Sequence, residues 1–153
     1  MVTIRPYEDR DFIQCEKIAR EFQENSVFAD SGWDTDKFNI LSSQAIDPNS
    51  SVFAFVSEMD GIIIGAFVGY VSEYFFSREN ISQDLIVIVL PEYRSYSYEC
   101  ISRMLSAFES WSKHNNAVEI CIGSSTALDN DNYKNFLEDN GYKDVGFIAK
   151  KRI

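Results

Sequence analysis

An arginine between an apolar run and a helix is the feature of this 153-residue sequence that most directly predicts chemistry. Six aliphatic residues, 85–90, are stopped by Pro91, and Arg94 and a short polar turn then lead into an amphipathic segment. At such a junction, free backbone N–H groups and the positive end of the helix point to one place. Arg94 adds a fork-shaped cation. The junction therefore predicts an anion-binding site.

The histidine and the cysteines give little support to metal or triad chemistry. His114 is the only histidine, and Cys15, Cys100 and Cys121 lie far apart. A zinc site and a Ser-His-Asp triad are therefore poorly supported, and we expect no metal. We expect His114 on the surface, near the end of a helix. The odd, separated cysteines favour buried thiols in a reducing compartment, and thus a cytoplasmic protein.

The charge of the chain predicts which partners it lacks. The formal net charge is −10, from 24 acidic and 14 basic residues besides the one histidine. This balance argues against nucleic-acid binding, which needs a basic face.

The N-terminus shows no apolar signal region, and the longest apolar stretch, residues 61–76, is interrupted by Ser72 and Glu73. We expect that stretch to be a core strand and expect no membrane partner.

Strands and helices alternate along one domain, residues 1–153, in the order β-α-α-β-β-β-α-β-α-β. Asp60-Gly61 predicts a hairpin turn, and Thr35 is the expected N-cap of the second helix. This order predicts an α/β fold with a mixed central sheet and helices on both faces. The expected strands are residues 2–7, 52–59, 62–74, 85–90 (buried on both faces), 117–123 and a last strand with alternating Val145, Phe147 and Ala149.

This element order resembles that of the GNAT superfamily of acyl-CoA-dependent N-acetyltransferases over essentially the whole chain. The residues Val89-Leu-Pro-Glu-Tyr-Arg94 match the strand-to-loop phrase of that family, and residues 132–142 resemble its C-terminal helix. The phrases at residues 24–28, 36–37 and 108–111 are similar to a branch often encoded by tailed bacteriophages. The resemblance implies acetyl-CoA as co-substrate and no metal.

The resemblance also assigns a binding loop for coenzyme A. It implies that backbone N–H groups of Val87 and Val89 hold the acyl carbonyl. Where the family has two small residues in the loop, this chain has Ser97 and Glu99. Ser97 could serve as an N-cap, whereas Glu99 either favours the helix dipole or repels a diphosphate. The implied pyrophosphate loop comprises Arg94, Ser95, Tyr96, Ser97, Tyr98 and Glu99.

Three tyrosines surround this loop. Tyr93, Tyr96 and Tyr98 could stack on the adenine, or could form a contact surface for a protein partner or for a second copy in a homodimer.

Candidate catalytic residues follow from the same resemblance. Asp84, at the start of the central strand, matches the position of a base; the alternative is a solvated strand residue. The family often has a tyrosine acid on the last helix, where this chain has Leu137, and Tyr133 one turn earlier could substitute. The alternative for Tyr133 is a core aromatic residue.

The implied acceptor site contains acids, which favour a cationic amine. The alternative is core aromatics with solvated acids. The implied residues are Glu24, Asn25, Ser26, Phe28, Trp33, Tyr70, Glu73 and Tyr74.

Two functions therefore follow from the sequence. The first is acetyl transfer from acetyl-CoA to a primary amine of a small molecule or a protein. The second is a binding or structural protein on the same fold whose coenzyme A site is impaired, because the two small loop residues and the aligned tyrosine are missing. Function resides in the site rather than in the fold, so the loop decides between them.

Overall fold

The computed structural model of the protein describes residues 1–124 and 130–153. In these residues one five-stranded sheet carries helices on both faces, as expected from the sequence. The strands are β1 (Thr3–Pro6), β2 (Val52–Met59), β3 (Ile62–Glu73), β4 (Asn80–Val89) and β5 (Ala117–Cys121). The α-helices are α1 (Phe12–Glu24), α2 (Thr35–Ile46), α3 (Ser97–His114) and α4 (Asn130–Asp139), and 3-10 turns over Asp9–Asp11 and Pro91–Tyr96 precede α1 and α3.

The strands lie in the sheet in the order of the chain. β1, β2, β3 and β4 pair antiparallel, and β5 runs parallel to β4 at the edge. The turn between β2 and β3 has positive φ at Asp60 and Gly61, 52° and 80°. Two such residues make the hairpin turn whose twist suits antiparallel strands. The mixed sheet predicted from the sequence is therefore confirmed, and so is its hairpin.

A hydrophobic core lies on each face of the sheet. On one face α3 packs Met104 and Phe108 against the sheet, with Phe67 of β3 fully buried beneath them. On the other face α1 contributes Ile18 and Cys15. Gly69 of β3 is required by the first core, because a Cβ there would lie 2.6 Å from the Phe108 ring. β4, where the predicted junction begins, contributes side chains to both cores.

A cluster of charges joins β1, β2 and the start of α1. The Arg5 guanidinium donates hydrogen bonds to the Asp11 carboxylate at 2.7 and 2.8 Å, and another from Nε to Glu58 at 2.8 Å. Burial is the largest influence on the pKa of Asp11 and raises it, but the hydrogen bonds from Arg5 and the Glu8 backbone N–H, together with the charges of Arg5 and Arg10, hold this pKa below its ordinary value. The buried Asp11 carboxylate thus depends on Arg5 for its charge.

The expected last strand is wrong. Residues 142–153 have no regular secondary structure, and Val145 and Phe147 are 88% and 92% exposed. The segment instead runs to the loop after α1, where the Lys150 ammonium lies 3.6 Å from the centre of the Phe28 ring. A segment with apolar alternation forms a strand only where the edge strand of a sheet is available to pair with it. Residues 142–153 follow a different path and do not pair with the sheet.

Three smaller expectations are also wrong. Asp34, not Thr35, is the N-cap of α2, because its carboxylate accepts hydrogen bonds from the backbone N–H groups of residues 36 and 37. Leu85, expected in a strand buried on both faces, is 52% exposed, since β4 loses its neighbour there. Cys121, expected to be a buried thiol, is an exposed free thiol.

His114 is exposed at the end of α3, as expected. Among the helices described, none is both long and apolar enough to cross a membrane.

Candidate active site

The central feature of the site is the separation of β4 from β5. The two strands pair only at the start of β4, from Asn80 to Gln83, after which β4 continues to Val89 without β5 beside it. A cleft of about 850 Å³ opens between them. Such a volume fits a ligand of substantial size. The cleft extends from the first turn of α3 to the last turns of α1.

Backbone N–H groups of β4 point into this cleft. β4 pairs with β3 through a bulge that leaves Leu85 without a partner, and after the bulge the Leu90 N–H donates to the Ile64 carbonyl of β3 at 2.8 Å. Successive residues of a strand direct their N–H groups to opposite sides. The N–H groups of Val87 and Val89 therefore point away from β3, towards the side that β5 has left.

Asp84 lies where the two strands separate. Its carboxylate accepts a hydrogen bond from the backbone N–H of Gly123, just past β5, at 3.0 Å. Burial raises the pKa of Asp84 to about 6, although this hydrogen bond opposes the rise. A carboxylate with such a pKa is ionised at neutral pH yet basic enough to take a proton from a bound group.

Tyr133 of α4 lines the same cleft. Burial raises the pKa of Tyr133, and the negative charge of nearby Asp84 raises it further. The phenol therefore stays protonated over the working range of an enzyme and can donate a hydrogen bond. Its ring stacks on Phe136, with centres 6.4 Å apart, while Leu137 packs against the core below α3.

The α3 end of the cleft can accept an anion. Arg94 lines it, is exposed, and makes no side-chain hydrogen bond or ion pair within residues 1–124 and 130–153. α3 starts at Ser97, and its N-cap Tyr96 places no side chain on the first turn. The expectation that Ser97 is the N-cap is thus wrong. One carboxylate, that of Glu92, also lines this end and opposes an anion.

Glu99 is turned away from the cleft. Its carboxylate accepts a hydrogen bond from Arg103, one turn along α3, at 3.0 Å, and both side chains are about half exposed. Glu99 is not among the residues that line the cleft. Of the two alternatives drawn from the sequence, this geometry favours a carboxylate that stabilises the first turn of α3.

The opposite end of the cleft is formed by α1 and the loop after it. Phe28 and Trp33 line this end. The Gln23 amide donates to the Phe28 carbonyl at 2.5 Å and so anchors the loop. The Trp33 indole N–H donates to Glu16 at 3.1 Å, and Arg20 lies over its ring. These contacts hold two aromatic walls in place.

Ten of the candidate residues meet in the cleft, and eight do not. Those that line it are Asp84, Tyr133, Val87, Val89, Arg94, Ser97, Tyr98, Asn25, Phe28 and Trp33. Those outside it are Ser95, Tyr96, Glu99, Glu24, Ser26, Tyr70, Glu73 and Tyr74. Tyr74, for example, donates its hydroxyl to Glu119 of β5.

Sequence reasoning missed several residues of the cleft. Glu21 and Phe22 lie on the last turns of α1, and Gly123 supplies the backbone donor to Asp84. Phe22 continues the apolar spacing of α1, which indicates a core-facing side chain but does not mark a cleft. For Gly123, the only signal in the sequence was its position directly after a strand.

Comparison with solved structures identifies the fold. The chain matches AAC(6')-Iy in complex with a bisubstrate analogue, CoA-S-monomethyl-acetylneamine, with a TM-score of 0.76 and 13% identity, over 100% of this chain and 98% of that one. It matches the ribosomal-protein-alanine N-acetyltransferase from Brucella melitensis biovar Abortus 2308 with a TM-score of 0.71 and 11% identity, over 99% of each chain. A transcriptional regulator from Bacillus halodurans C-125 matches with a TM-score of 0.76 and 13% identity over the whole of both chains.

The TM-scores establish a shared fold, which is the fold that the resemblance implied, and identities of 11–13% extend the likeness no further than the fold. No family model matches the sequence, and no curated protein sequence matches it. Neighbours of this one fold are described as acetyltransferases and as a transcriptional regulator, so the fold by itself assigns no activity to this chain.

Proposed function

We propose that this protein is an N-acyltransferase that transfers the acetyl group of acetyl-CoA to a primary amine. One observation carries the proposal: the cleft beside β4 brings together a proton acceptor, a hydroxyl donor, free backbone N–H groups and an unpaired arginine. These are the groups that acyl transfer to an amine requires.

The α3 end of the cleft suits the phosphates of coenzyme A. Arg94 has no competing carboxylate partner in the described chain, and the first turn of α3 has no side-chain cap. A helix start of this kind, with an arginine beside it, favours a diphosphate. Ser97 and Tyr98 line this end, whereas Glu99 binds Arg103 instead. The residues present therefore fit the co-substrate.

The N–H groups of Val87 and Val89 would hold the thioester carbonyl. In the reaction, the amine nitrogen loses a proton to Asp84 and attacks the carbonyl carbon, so that a C–N bond forms. The strand N–H groups stabilise the oxyanion of the tetrahedral intermediate. The C–S bond then breaks, Tyr133 donates its hydrogen bond to the sulfur, and the thiolate gains the proton that the amine lost.

The acceptor would enter from the α1 end. Glu21 lines the cleft there, as do the aromatic rings of Phe28 and Trp33. A carboxylate beside aromatic rings, in a chain of net charge −10, favours a cationic amine. AAC(6')-Iy, described as an aminoglycoside N-acetyltransferase, was solved with the bisubstrate analogue CoA-S-monomethyl-acetylneamine. We extend only the chemical class, a cationic amine, to this chain.

A thermal shift experiment tests the first step of the proposed reaction, the binding of acetyl-CoA. Acetyl-CoA at about 100 times its Kd should add about 2.7 kcal/mol of stability. For a chain of this length, that is a rise in Tm of about 5–10 °C. Arg94→Gln should weaken binding by about 10- to 100-fold, whereas Arg78→Gln, which changes the same charge in the β3–β4 turn, should leave binding unchanged. No shift with millimolar acetyl-CoA would instead favour a binding protein with an impaired site.

Two further proposals accompany the activity. We expect the protein to act in the cytoplasm, because the three cysteines are free thiols and two are buried in different cores. We also keep, as a prediction, its relation to acetyltransferases encoded by tailed bacteriophages.

Release of coenzyme A thiol in the presence of a panel of primary and polycationic amines would identify the acceptor.

A further inference from the structure

A second cavity lies between the sheet and the helices α1 and α2. Its volume is about 40 Å³, and it adjoins the cleft. Five residues line both spaces, among them Ile86 and Ile88 of β4. These two lie on either side of Val87, whose N–H would hold the reacting carbonyl. The cavity therefore begins beside the place where an acyl group would react.

The walls of this cavity are apolar and contain several small residues. Ala45 of α2, Ala54 of β2 and Ala66 of β3 line it, where larger side chains would fill it. Tyr7 and Ser42 contribute hydroxyl groups, and no charged side chain is among its lining residues in the described chain. Such walls suit an alkyl group and penalise a carboxylate, which would lose its hydration with no cation to replace it.

The thiol of Cys15 also lines the cavity but is not a nucleophile. Burial raises the pKa of Cys15 to about 12, and the charge of Asp11 adds to the rise. The thiolate is the reactive form of cysteine, and it is negligible at neutral pH with such a pKa. The cavity is therefore a place for a group to lie, not for a second covalent step.

We propose that this cavity holds the alkyl end of the acyl group, so that the protein accepts, besides acetyl, straight acyl groups of three to five carbons and binds their coenzyme A thioesters more tightly. This inference rests on the proposed acyltransferase function. A water-sized group needs about 10–15 Å³ on this measure. The cavity thus has room for about three methylene-sized groups beyond the methyl of acetyl. The bonds that form and break are unchanged: C–N forms, C–S breaks, and the sulfur gains the proton of the amine.

Binding of acyl-CoA thioesters tests the inference without a known acceptor. The Kd of acetyl-, butyryl-, decanoyl- and succinyl-CoA would be measured by calorimetry on the full chain. Burial of each methylene should tighten binding about fourfold, so butyryl-CoA should bind on the order of tenfold tighter than acetyl-CoA. Decanoyl-CoA should lose this gain because it exceeds the cavity, and succinyl-CoA should bind more weakly than butyryl-CoA.

Variants of α2 connect the gain to the cavity. Ala45→Leu fills the cavity and should remove the preference for butyryl-CoA while acetyl-CoA binds as before. Gln44→Leu adds the same side chain at the exposed neighbouring position and should keep the preference. Leu41→Ala enlarges the cavity and should extend tight binding to hexanoyl-CoA, so the inference remains testable if Ala45→Leu does not fold.

The outcomes separate this inference from the proposed function. If wild-type protein binds acetyl-CoA and binds butyryl-CoA no more tightly, the inference is overturned and the proposed function stands. If Ala45→Leu and Gln44→Leu both keep the preference, the alkyl group lies elsewhere and the inference is again overturned. If no thioester binds, the proposed function itself fails.

Discussion

The Asp84 carboxylate accepts a hydrogen bond from the Gly123 backbone N–H at 3.0 Å, across the point where β4 and β5 separate. This contact fixes the carboxylate at the start of the cleft while leaving it half-buried. Burial raises its pKa to about 6. One contact therefore both positions the candidate base and reflects the separation of strands that makes the cleft.

The rate should depend on the ionisation of Asp84. Transfer to an amine should increase as the pH rises through about 6, where the carboxylate loses its proton. Asp84→Asn, which keeps an oxygen for the Gly123 N–H, should lower kcat about 10²- to 10⁴-fold. The pH profiles of kcat/KM for both proteins provide the measurement. An Asn variant with a wild-type profile would show that another group is the base.

The same substitution should stabilise the protein. The pKa of Asp84 rises from 3.8 to about 6 on folding, so the folded state binds more protons between these values and stability falls as the pH rises through them. Asp84→Asn removes this penalty, which amounts to at most about 3 kcal/mol above pH 6. Urea unfolding at pH 8 should show the gain, and at pH 3.5 the two proteins should converge. Equal stability at pH 8 would contradict the raised pKa.

Tyr133→Phe should show whether the Tyr133 hydroxyl takes part in the reaction, because the substitution leaves the packing of the ring intact. The ring and its stacking on Phe136 remain, and only the hydroxyl is lost. We expect kcat to fall about 10²-fold with little change in the Kd of acetyl-CoA, because the hydroxyl would act as the C–S bond breaks. Tyr142→Phe is the control, since its hydroxyl bonds Glu109 and does not line the cleft. A Tyr133→Phe enzyme as fast as the control would exclude the role in leaving-group departure.

Glu99→Gly tests whether the unusual loop residue impairs coenzyme A binding. Because Glu99 bonds Arg103 outside the cleft, its replacement should leave acetyl-CoA affinity unchanged. It should cost about 1 kcal/mol of stability, through the poor helix propensity of glycine and the lost charge at the start of α3. Glu92→Gln, in contrast, removes a carboxylate that lines the cleft and should tighten binding. Tighter binding by Glu99→Gly would reverse this assignment.

Arg5→Met should strongly destabilise the fold. It leaves the buried Asp11 carboxylate without its partner, which costs about 3–5 kcal/mol. Arg10→Met is the matched control, since Arg10 is mostly exposed and its ion pair with Glu8 should contribute at most about 1 kcal/mol. Denaturant unfolding of both variants measures the difference, and equal losses would argue against a buried charge cluster.

The sequence predicted most elements because their signals are local. The Asp60-Gly61 turn needs two residues that tolerate positive φ, and the sequence shows them. Met104, Leu105 and Phe108 form a stripe at helical spacing and are buried on α3, as expected. Gly141, just beyond α4, has a φ of 87°, as a residue that ends a helix often does.

The alternation at Val145, Phe147 and Ala149 was misleading because it carries no information about a partner strand. Likewise, six aliphatic residues at 85–90 suggested a strand buried on both faces, yet Leu85 is exposed where β5 departs. A segment forms a strand only when a neighbouring segment supplies its hydrogen-bond partners. The elements packed on each face of the sheet then decide which side chains of the strand are buried.

The sequence alone determined the order of the elements as far as α4, the mixed sheet and the position of Asp84 and Arg94 on either side of one apolar run, because hydrophobic period and turn residues act over a few positions. Asp84 itself lies in the middle of β4, not at the start of the strand as the sequence predicted. Only the tertiary structure decided that β5 leaves β4 after Gln83, that Glu99 faces Arg103, and that small residues of three elements enclose a cavity. These depend on contacts between residues distant in the chain, which packing of the whole molecule selects.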